Sequence, residues 1–424
     1  MTAFTSFAFK ATGTTADRTM PDRLAEIHNV LDFGADPTGN TDSTSAIQSA
    51  VDWTSGANRG TIYFPLGSYV ATSPITFNYD GDLAIRFLGE FGTVIFGTVN
   101  GYVFDRHLAT PNNTKGGRIF ERLLIVNAHA SGGCIRLGST LGGAMRDCVF
   151  SGFIGVTTED SAGNSSQNIQ IQNCKFSGGG ATGSKFIIIG GGGAIEGSDI
   201  GPGGDIGVLA YGKGLHISGC RSENCNTSFL LGNDSANNPV GLQGFSCHST
   251  STEGCVTAWD FGGTGGGLVE GFTISSCYHL GHPVGNAGAD QMQESLYGIR
   301  IRADCADAGI IQAFQANNHH GQYGIAIASA TSRKNIIIRD TSSVVNTGTN
   351  WSLPSNAYTA RLRNCNTAET WTYSQLPTGG NVLEGDEYDI TDSNTATWGA
   401  TAAGSGSNHV RVRYNGSNYT VVGK

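Results

Sequence analysis

Charged residues are scarce in this sequence: they make up 14 % of its 424 residues, and the formal net charge is −9 at pH 7. Ordinary soluble domains carry about 25 % charged residues. No basic run occurs, which argues against nucleic-acid binding, because phosphate backbones are bound by clustered Lys and Arg. No apolar stretch reaches the roughly 18 residues of a membrane-spanning helix, so no membrane span is predicted. The opening MTAFTSFAFKATGTTADR lacks the basic and apolar regions of a secretory signal.

Metal-binding and redox motifs are also missing. The chain has ten cysteines, but none forms a Cys-x-x-Cys pair with metal spacing. The spacings of Cys220 to Cys225 and of Cys247 to Cys255 are too irregular for a zinc ribbon. The sequence therefore predicts no metal site and no cofactor. Its thiols indicate either a reducing compartment or the use of Cys as a small buried hydrophobe.

Glycine is abundant, at 63 of 424 residues, and short phrases around Cys recur in the middle of the chain. Each phrase has an apolar residue two or three positions before the Cys. Together with four phrases that fit the same frame without Cys (LLIVNAHA, IEGSDI, AFQANNH and IIIRDTSS), they follow one another mostly at intervals of 21–30 residues, with one wider gap after Cys277. The phrases with Cys are MRDCVF, IQNCKF, ISGCRS, GFSCHS, ISSCYH and LRNCNT, which place Cys148, Cys174, Cys220, Cys247, Cys277 and Cys365.

Between these phrases lie segments with period-two alternation, such as GCIRLGS (133–139) and YGIRIRAD (297–304). A period in the twenties with several short strands and no helix is typical of a parallel β-solenoid. One coil cannot bury its inner face alone, whereas stacked coils bury a continuous core and place like residues above like. We therefore interpret the Cys column as a ladder of small apolar side chains at one corner.

Near the start, NVLDFGADPTGNTDSTSAIQSAV (29–51) predicts a strand over 29–35, a turn at 36–39 and a helix. Thr41 or Asp42 is predicted to cap the helix at its N-terminus. Its apolar stripe consists of Ala46, Ile47, Ala50 and Val51. We expect the helix to cover the open end of the solenoid, with residues 59–77 as the first coil.

This segment and the following GTIYFPLGSYV (60–70) resemble the N-terminal signature of the pectate-lyase-like superfamily, which is common in bacteriophage tailspikes. The preceding DRTMPDRLAEIHNV resembles the lead-in of many phage tail proteins. The resemblance implies an all-β, single-stranded right-handed parallel β-helix with an N-terminal capping helix and a small C-terminal antiparallel β module. Ser43 stands where the family pattern usually has a second Asp, and we interpret Asp36 and Asp42 as structural.

Three regions are predicted: a leader at 1–28, the β-helix at 29–375 and the β module at 376–424. Asn415-Gly416 between alternating segments predicts a hairpin in the last region. The resemblance implies a homotrimer whose N-terminus docks to the virion tail or to an adaptor protein. It also implies synthesis in the host cytoplasm without a signal peptide, followed by action outside the cell at the host surface.

The family resemblance implies that the chain binds and depolymerises a bacterial surface polysaccharide: capsule, lipopolysaccharide or exopolysaccharide. The polygalacturonase motifs do not transfer, because only His320-Gly321 and Arg300-Ile301-Arg302 occur, in the wrong order. The Trp-x-Asp-His pattern of calcium-dependent pectate lyases is missing too. Hydrolysis needs two carboxylates, roughly 5 Å apart for retention of configuration and 6.5–9.5 Å apart for inversion.

The predicted catalytic pair comes from the acid-rich region 223–307, where the segment 279–298 is longer than a turn needs. Long loops of solenoids usually gather on the binding face. We expect a general acid and a base or nucleophile among Glu253, Asp260, Asp290 and Glu294.

Alternation in VTAWDFG predicts that Val256 and Ala258 point inward and Trp259 outward. The same alternation predicts that Arg300 and Arg302 also point outward. An outward Trp beside two Arg side chains is typical of a sugar subsite, and a subunit interface is the alternative.

Tyr278, His279 and His320 complete the predicted substrate-binding set. His248 follows Cys247 directly and His279 lies two residues after Cys277, so we expect both to emerge at the same corner.

Three other functions stay open at this point. A polysaccharide lyase would use His279 or Tyr278 as base, with Arg300 or Arg302 neutralising a uronate carboxylate. A non-catalytic receptor-binding spike would bind the glycan without cutting it. A secreted cellular enzyme acting on wall polysaccharide is disfavoured by the missing signal peptide.

Overall fold

The structure is a computed structural model, and it forms two compact units, Met1–Gly179 and Gly180–Lys424. The description covers residues 8–10, 17–19, 26–56, 60–77, 85–106, 116–138, 140–159, 166–178, 182–232, 241–263, 266–281, 296–318, 323–328, 336–345, 351–352, 360–363, 366–367, 372–376, 382, 384–385 and 387–424. Within these residues, no helix is long and apolar enough to cross a bilayer.

In the first unit, each coil passes through three parallel sheets, here called A, B and C. Sheet A has the strands Ile27–Asn29, Gly60–Phe64, Ile85–Gly89, Gly116–Glu121, Leu141–Arg146 and Gln167–Gln172. Sheet B has Thr38–Asp42, Ser68–Ala71, Val94–Gly97, Leu124–Asn127, Val149–Ser151 and Lys175–Ser177. Sheet C has Ile75–Thr76, Tyr102–Arg106, Gly133–Leu137 and Ile154–Thr157.

The second unit repeats this plan of three parallel sheets. Its sheet A has the strands Gly193–Glu196, Leu215–Ser218, Ser246–His248, Thr273–Ser275, Gly309–Gln312, Ile336–Arg339 and Ala360–Arg363. Sheet B has Asp199–Ile200, Arg221–Glu223, Ser251–Glu253, Tyr278–Leu280, Gln315–Asn318, Ser342–Val345 and Asn366–Thr367. Sheet C has Lys185–Gly190, Ile206–Lys213, Thr227–Leu231, Thr257–Phe261, Tyr297–Ile301, Tyr323–Ile327 and Trp351–Ser352. Three further short strands are Leu242–Gln243, Val269–Glu270 and Ala306–Asp307.

In nine of the described coils, one residue in the left-handed conformation turns the chain from sheet A into sheet B. This conformation is costly for most L-residues and easiest for Gly, Asn and Asp, which supply five of the nine bends. The bend residues, with φ between 48° and 60°, are Arg122, Asp147, Asn173, Gly197, Gly219, Ser249, Ser276, Ala313 and Asp340. The repeated turn is therefore set by single residues rather than by a loop.

The residue after each of these bends is buried, and Cys occupies the position in four coils. They are Cys148, Cys174, Cys220 and Cys277, which confirms the predicted ladder of small side chains. Cys247 was assigned to the wrong place: it lies inside strand Ser246–His248, paired with Ile274, and Thr250 follows the bend instead. The bend residue there is Ser249, so the sequence carries no Gly, Asn or Asp to mark the register.

The predicted capping helix is present as α1, Thr44–Gly56, and packs against strands Gly60–Phe64 and Ile75–Thr76. Its predicted apolar stripe is buried, as expected. Full burial of Ile47 or Val51 contributes about 1.5–3 kcal/mol each. At the N-terminus of α1, the Asp42 carboxylate accepts a hydrogen bond from the Thr44 N–H at 3.0 Å.

The predicted strand over 29–35 is wrong in its bounds. The strand is Ile27–Asn29, and a 3₁₀ helix, Val30–Phe33, follows it. The Asn29 side chain accepts a hydrogen bond from the Leu31 N–H at 3.0 Å and so starts this helix. Gly34 ends it in the left-handed conformation.

The C-terminal antiparallel β module is present, with strands Glu387–Ser393, Asn408–Tyr414 and Tyr419–Gly423. Its own core includes Ile390, Val412 and Val421. The predicted hairpin turn at Asn415-Gly416 joins the last two strands. A 3₁₀ helix, Tyr373–Gln375, precedes the module, and a two-stranded antiparallel pair, Ala8–Lys10 and Asp17–Thr19, lies near the N-terminus. The domain boundaries at 28 and 375 stay a prediction.

Asp36 holds the turn before α1, and its role can be tested by pH. Its carboxylate accepts hydrogen bonds of 2.7–2.9 Å from the N–H and hydroxyl groups of Thr38 and Thr41. These bonds, the one from the Thr38 hydroxyl first, hold the pKa of Asp36 below its ordinary value. A carboxylate of this kind stabilises the fold above its unfolded-state pKa and loses that contribution as the pH falls.

Asp36→Asn is therefore expected to lower the unfolding temperature at neutral pH, with a difference from wild type that narrows below about pH 4. Circular dichroism melts across this range measure the difference. Asp32→Asn, at an exposed position in the preceding 3₁₀ helix, is the control. A difference independent of pH would contradict this role for Asp36.

The buried thiols are expected to resist alkylation in the native protein. Burial keeps the reagent away from the nine described thiols. At Cys134 it also raises the pKa to about 12, and at Cys220 and Cys255 to about 11, so these three form little reactive thiolate at mildly alkaline pH. The variant Cys365→Ser leaves only the nine described cysteines, all of them buried. Mass spectrometry after iodoacetamide treatment is expected to show no label on the native variant and nine labels after denaturation. Labelling of the native variant would show that the coils open.

Candidate functional site

Two glutamates occupy equivalent positions on neighbouring coils of sheet B in the second unit. Glu223 ends strand Arg221–Glu223, Glu253 ends strand Ser251–Glu253, and the two residues are paired in the parallel register. Neighbouring strands lie about 4.8 Å apart. This spacing is close to the roughly 5 Å that separates the carboxyl groups of a retaining glycosidase. The side chains are 29 % and 31 % exposed, so both are accessible from outside.

Arg221 links the two carboxylates. Its Nη2 forms an ion pair with Glu223 and lies 3.4 Å from Oε2 of Glu253. A guanidinium placed between two like charges offsets their repulsion and restricts their orientations. The arrangement holds two carboxylates together on an exposed face, as a hydrolytic site requires.

The coils on either side differ in what they present to this pair. Tyr278 is in register with Ser251 and lies half-buried on the next coil. Gly201 lies on the coil before, where an added Cβ would stand 2.0 Å from the carbonyl oxygen of Glu223. The position accepts only glycine, so the residue next to Glu223 on that coil presents no side chain.

The sequence carries a signal for both glutamates of this pair, but only Glu253 was predicted from it. The phrases RSENCN (221–226) and STEGCV (251–256) align, with Glu at the same place in each. After each Glu comes a left-handed residue, Asn224 or Gly254, and then a buried Cys. The prediction named Glu253 among the catalytic candidates but did not select Glu223.

Asp260 lies on sheet C rather than beside Glu253 on sheet B. It is only 2 % exposed, and Arg300 and Arg302 both bind its carboxylate through their Nε and Nη2 atoms. The distance from Arg302 Nη2 to Oδ2 of Asp260 is 2.9 Å. Asp260 therefore positions two arginines, and the expectation that it is catalytic is replaced by this role.

Beside these arginines the surface forms a pocket of about 350 Å³, here called the Arg300 pocket. Tyr297, Arg300, Arg302 and Tyr323 contribute its polar groups, and Ala326 and Ala328 line it. The Tyr297 and Tyr323 rings stack with centroids 5.5 Å apart, and the Arg300 guanidinium lies 5.0 Å from the Tyr297 centroid. The outward direction predicted for Arg300 and Arg302 is consistent with this placement.

The outward direction predicted for Trp259 is wrong. Trp259 is fully buried, stacks on Phe229 at 5.5 Å and meets Phe314 edge to face. The register pairs it with the inward Ile299, whereas Asp260 is paired with Arg300. Every residue of strand Thr257–Phe261 is buried, so its sequence does not show which alternate positions face the core.

The predicted histidine cluster at one corner is wrong as well. His279 is fully buried on the inner face of sheet B, where its Nδ1 lies 2.8 Å from Oγ1 of Thr252. His248 lies on sheet A and contacts Ser275. Burial removes His279 from any contact with a long polysaccharide. Tyr278 lies half-buried on sheet B, in register with Ser251 and two residues before Leu280, which is in register with Glu253.

Asp290, Glu294 and His320 lie outside the described residues. Within the described part of the chain, no group of three or more His, Cys, Asp and Glu side chains is placed to hold a metal ion.

The core position of Trp259 can be tested against its predicted place in a sugar subsite. Trp259→Ala is expected to lower the free energy of unfolding by about 3–5 kcal/mol through the cavity it leaves. Trp259→Phe keeps an aromatic ring and is expected to lower the free energy of unfolding by less. Denaturant unfolding measures both, with Trp398→Ala as control because Trp398 is 78 % exposed. Wild-type stability of Trp259→Ala would contradict the burial.

Comparisons with known proteins agree with the fold. A family model described as rhamnogalacturonase A/epimerase, pectate lyase-like, matches residues 27–102. A double mutant of the tailspike protein of E. coli bacteriophage HK620, in complex with a pentasaccharide, aligns with a TM-score of 0.62. The alignment has 12 % identity and covers 88 % of this chain and 71 % of that one. A single mutant of the same tailspike, also with pentasaccharide, gives 0.61 with 12 % identity over 98 % and 95 % of the two chains.

A short stretch also resembles alginate lyase 7 of Azotobacter vinelandii, with 52 % identity over 42 residues. This match spans 10 % of the chain and only 5 % of the length of the lyase. The stacked coils, the capping helix, the family model and the tailspike structures agree on one architecture. The chain is a right-handed parallel β-helix with the fold of the HK620 tailspike, and its residues 27–102 match the pectate-lyase-like family model.

Proposed function

We propose that this chain is a bacteriophage tailspike that binds a bacterial surface polysaccharide and cleaves it by hydrolysis of glycosidic bonds. The observation that carries the proposal is the Glu223–Glu253 pair, two accessible carboxylates in register on neighbouring coils and joined by Arg221. The pentasaccharide bound by the HK620 tailspike supports a glycan as the substrate.

The two glutamates supply the nucleophile and the general acid/base of a retaining glycosidase. Glu223, which Arg221 contacts more closely, is the nucleophile, because the nucleophile must be a carboxylate anion. It attacks the anomeric carbon while Glu253 donates a proton to the departing glycosidic oxygen. A covalent glycosyl-enzyme forms. Glu253 then takes a proton from a water molecule whose oxygen attacks the anomeric carbon, the bond between that carbon and Glu223 breaks, and the sugar leaves with its configuration retained.

Tyr278 provides an aromatic face and a hydroxyl next to this pair, as sugar binding requires. The proposal includes the assembly that the family resemblance implies: a homotrimer whose residues 1–28 attach to the virion tail or to an adaptor protein. It acts outside the cell, at the host surface. Asp290, Glu294 and His320 stay predicted site residues.

A polysaccharide lyase acting on a uronate polymer is the second candidate. One observation favours it: Tyr297 lies against Arg300 in the Arg300 pocket, so a phenol and two guanidinium groups adjoin one space. In β-elimination the arginines neutralise the uronate carboxylate and Tyr297, as the phenolate, accepts the proton from C5. The C4–C5 double bond then forms as the bond from C4 to the glycosidic oxygen breaks, and the leaving oxygen takes up a proton from Tyr297 or water. This arrangement replaces the expected base His279, which is buried, and Tyr278, which lies on another sheet.

Glu223→Gln and Glu253→Gln are each expected to lower kcat on the order of 10²–10⁴-fold and to leave polysaccharide binding intact, because each removes one proton-transfer or nucleophilic group without changing shape. The measurement is the release of reducing ends from a panel of bacterial surface polysaccharides. Glu270→Gln is the matched control, since Glu270 lies on a separate short strand and pairs with Gln243.

Product analysis separates the candidates. New reducing ends of retained configuration support the proposal, and azide rescue of Glu223→Ala identifies the nucleophile. Ultraviolet absorbance of an unsaturated uronate would establish the lyase instead. Binding without cleavage would establish a non-catalytic spike, and wild-type rates in both Gln variants would move catalysis away from this pair.

A further inference from the structure

The two arginines of the Arg300 pocket carry more charge than their partner neutralises. Arg300 and Arg302 are 27 % and 33 % exposed, whereas Asp260 is 2 % exposed. Among the described residues, no second carboxylate forms an ion pair with either guanidinium. Two positive charges against one negative leave a net charge of +1 at the pocket.

Among the described residues in register with Asp260 and Arg300 on the neighbouring coils, none supplies a negative charge. In the register of sheet C, the outward positions next to Asp260 and Arg300 are Leu230 on the coil before and Ala326 on the coil after. Ala326 and Ala328 line the pocket with methyl groups where longer side chains would fill it. The space beside the guanidinium groups is therefore open on the side where a counter-ion belongs.

The arginines are held in place before any ligand arrives. Each uses its Nε and Nη2 edge on the buried carboxylate of Asp260, and Arg300 also packs over the Tyr297 ring. Fixed guanidinium forks bind planar carboxylates with little loss of side-chain entropy. The stacked Tyr297 and Tyr323 rings add an aromatic surface at the same pocket. The size, about 350 Å³, lies in the range of small-ligand sites.

A comparable contact in the first unit shows what is unusual about the arginines bound to Asp260. On sheet C of that unit, Arg136 binds Asp105 through the same two atoms and lies 4.9 Å from the Tyr102 centroid. That contact joins one arginine to one aspartate, whereas the contact in the second unit joins two arginines to one. The additional arginine, Arg302, produces the excess charge.

We infer that the Arg300 pocket binds a carboxylate of the polysaccharide, so that the substrate is an acidic glycan bearing a uronic acid or a pyruvate ketal. One carboxylate balances the net charge of +1. The inference rests on the proposed function for the nature of the ligand, but binding at this pocket does not depend on cleavage at the Glu223–Glu253 pair.

The experiment uses the full chain carrying Glu253→Gln, so that ligands are bound but not cut. Acidic and neutral bacterial polysaccharides are screened, and each one bound is compared in its native form and after carbodiimide–borohydride reduction of its carboxyl groups. Reduction of the carboxyl groups is expected to weaken binding at least about tenfold, because the glycan then loses one charge-assisted hydrogen-bonded contact with the arginines. Mild acid, which removes pyruvate ketals but not uronates, distinguishes the two sources.

Arg300→Gln and Arg302→Gln, each added to Glu253→Gln, are expected to lose about tenfold in affinity for the native glycan and nothing for the reduced one. Arg302→Lys keeps the charge without the planar fork. Its affinity for the native glycan is expected to lie between that of the Glu253→Gln parent and that of the Arg302→Gln variant. Arg339→Gln removes an exposed arginine from sheet A and is the matched control. Thermal melts of each variant show that the fold is kept.

Selective binding of neutral glycans, equal affinity for native and reduced forms, or no binding at all would overturn the inference. A neutral glycan that is both bound and cleaved would overturn it while leaving the proposed hydrolysis intact. An acidic glycan that is bound through Arg300 and Arg302 but never cleaved by the chain with Glu253 intact would support the inference and refute hydrolysis.

Discussion

Backbone hydrogen bonding between successive coils is the constraint on which the other features depend. A parallel ladder fixes the distance between coils at about 4.8 Å and fixes which residue lies above which. Side chains that are some thirty residues apart in sequence thereby become direct neighbours. Glu223 and Glu253 acquire their spacing in this way, and so do Asp260 and Arg300. Neither site needs a specialised loop to bring its charged groups together.

The same constraint explains which structural features can be predicted from the sequence and which cannot. Repeated phrases predict the solenoid and the ladder of Cys side chains, and the apolar stripe of residues 46–51 predicts the capping helix. Each of these signals depends on residues close together in the chain. The register between coils is harder to predict, since one shifted residue exchanges the inner and outer faces. Trp259 and Asp260 show this: strand Thr257–Phe261 is buried throughout, so nothing in its polarity marks the outward position.

Glu253 and Cys247 mark the limits of repeat alignment. The phrase around Glu253 has a left-handed glycine, Gly254, after the glutamate, and aligning it with Asn224 recovers Glu223 as its partner. Around Cys247 the bend residue is Ser249, which carries no such signal, and the alignment slips by three residues. Bends made by Gly, Asn or Asp can be read from sequence, whereas bends made by Ser, Ala or Arg depend on the neighbouring coils that hold them.

The capping helix α1 has a consequence for how chains of this kind meet one another. A stack of coils ends in rows of unpaired N–H and C=O groups, and such a row can accept the end of another stack. Two copies joined in this way would expose the same ends again, and growth would continue into a fibre. The helix α1 packs against the strands of the first coils and so covers the end at which such growth would begin. Thirteen residues of helix thus stand where a second stack would have to add.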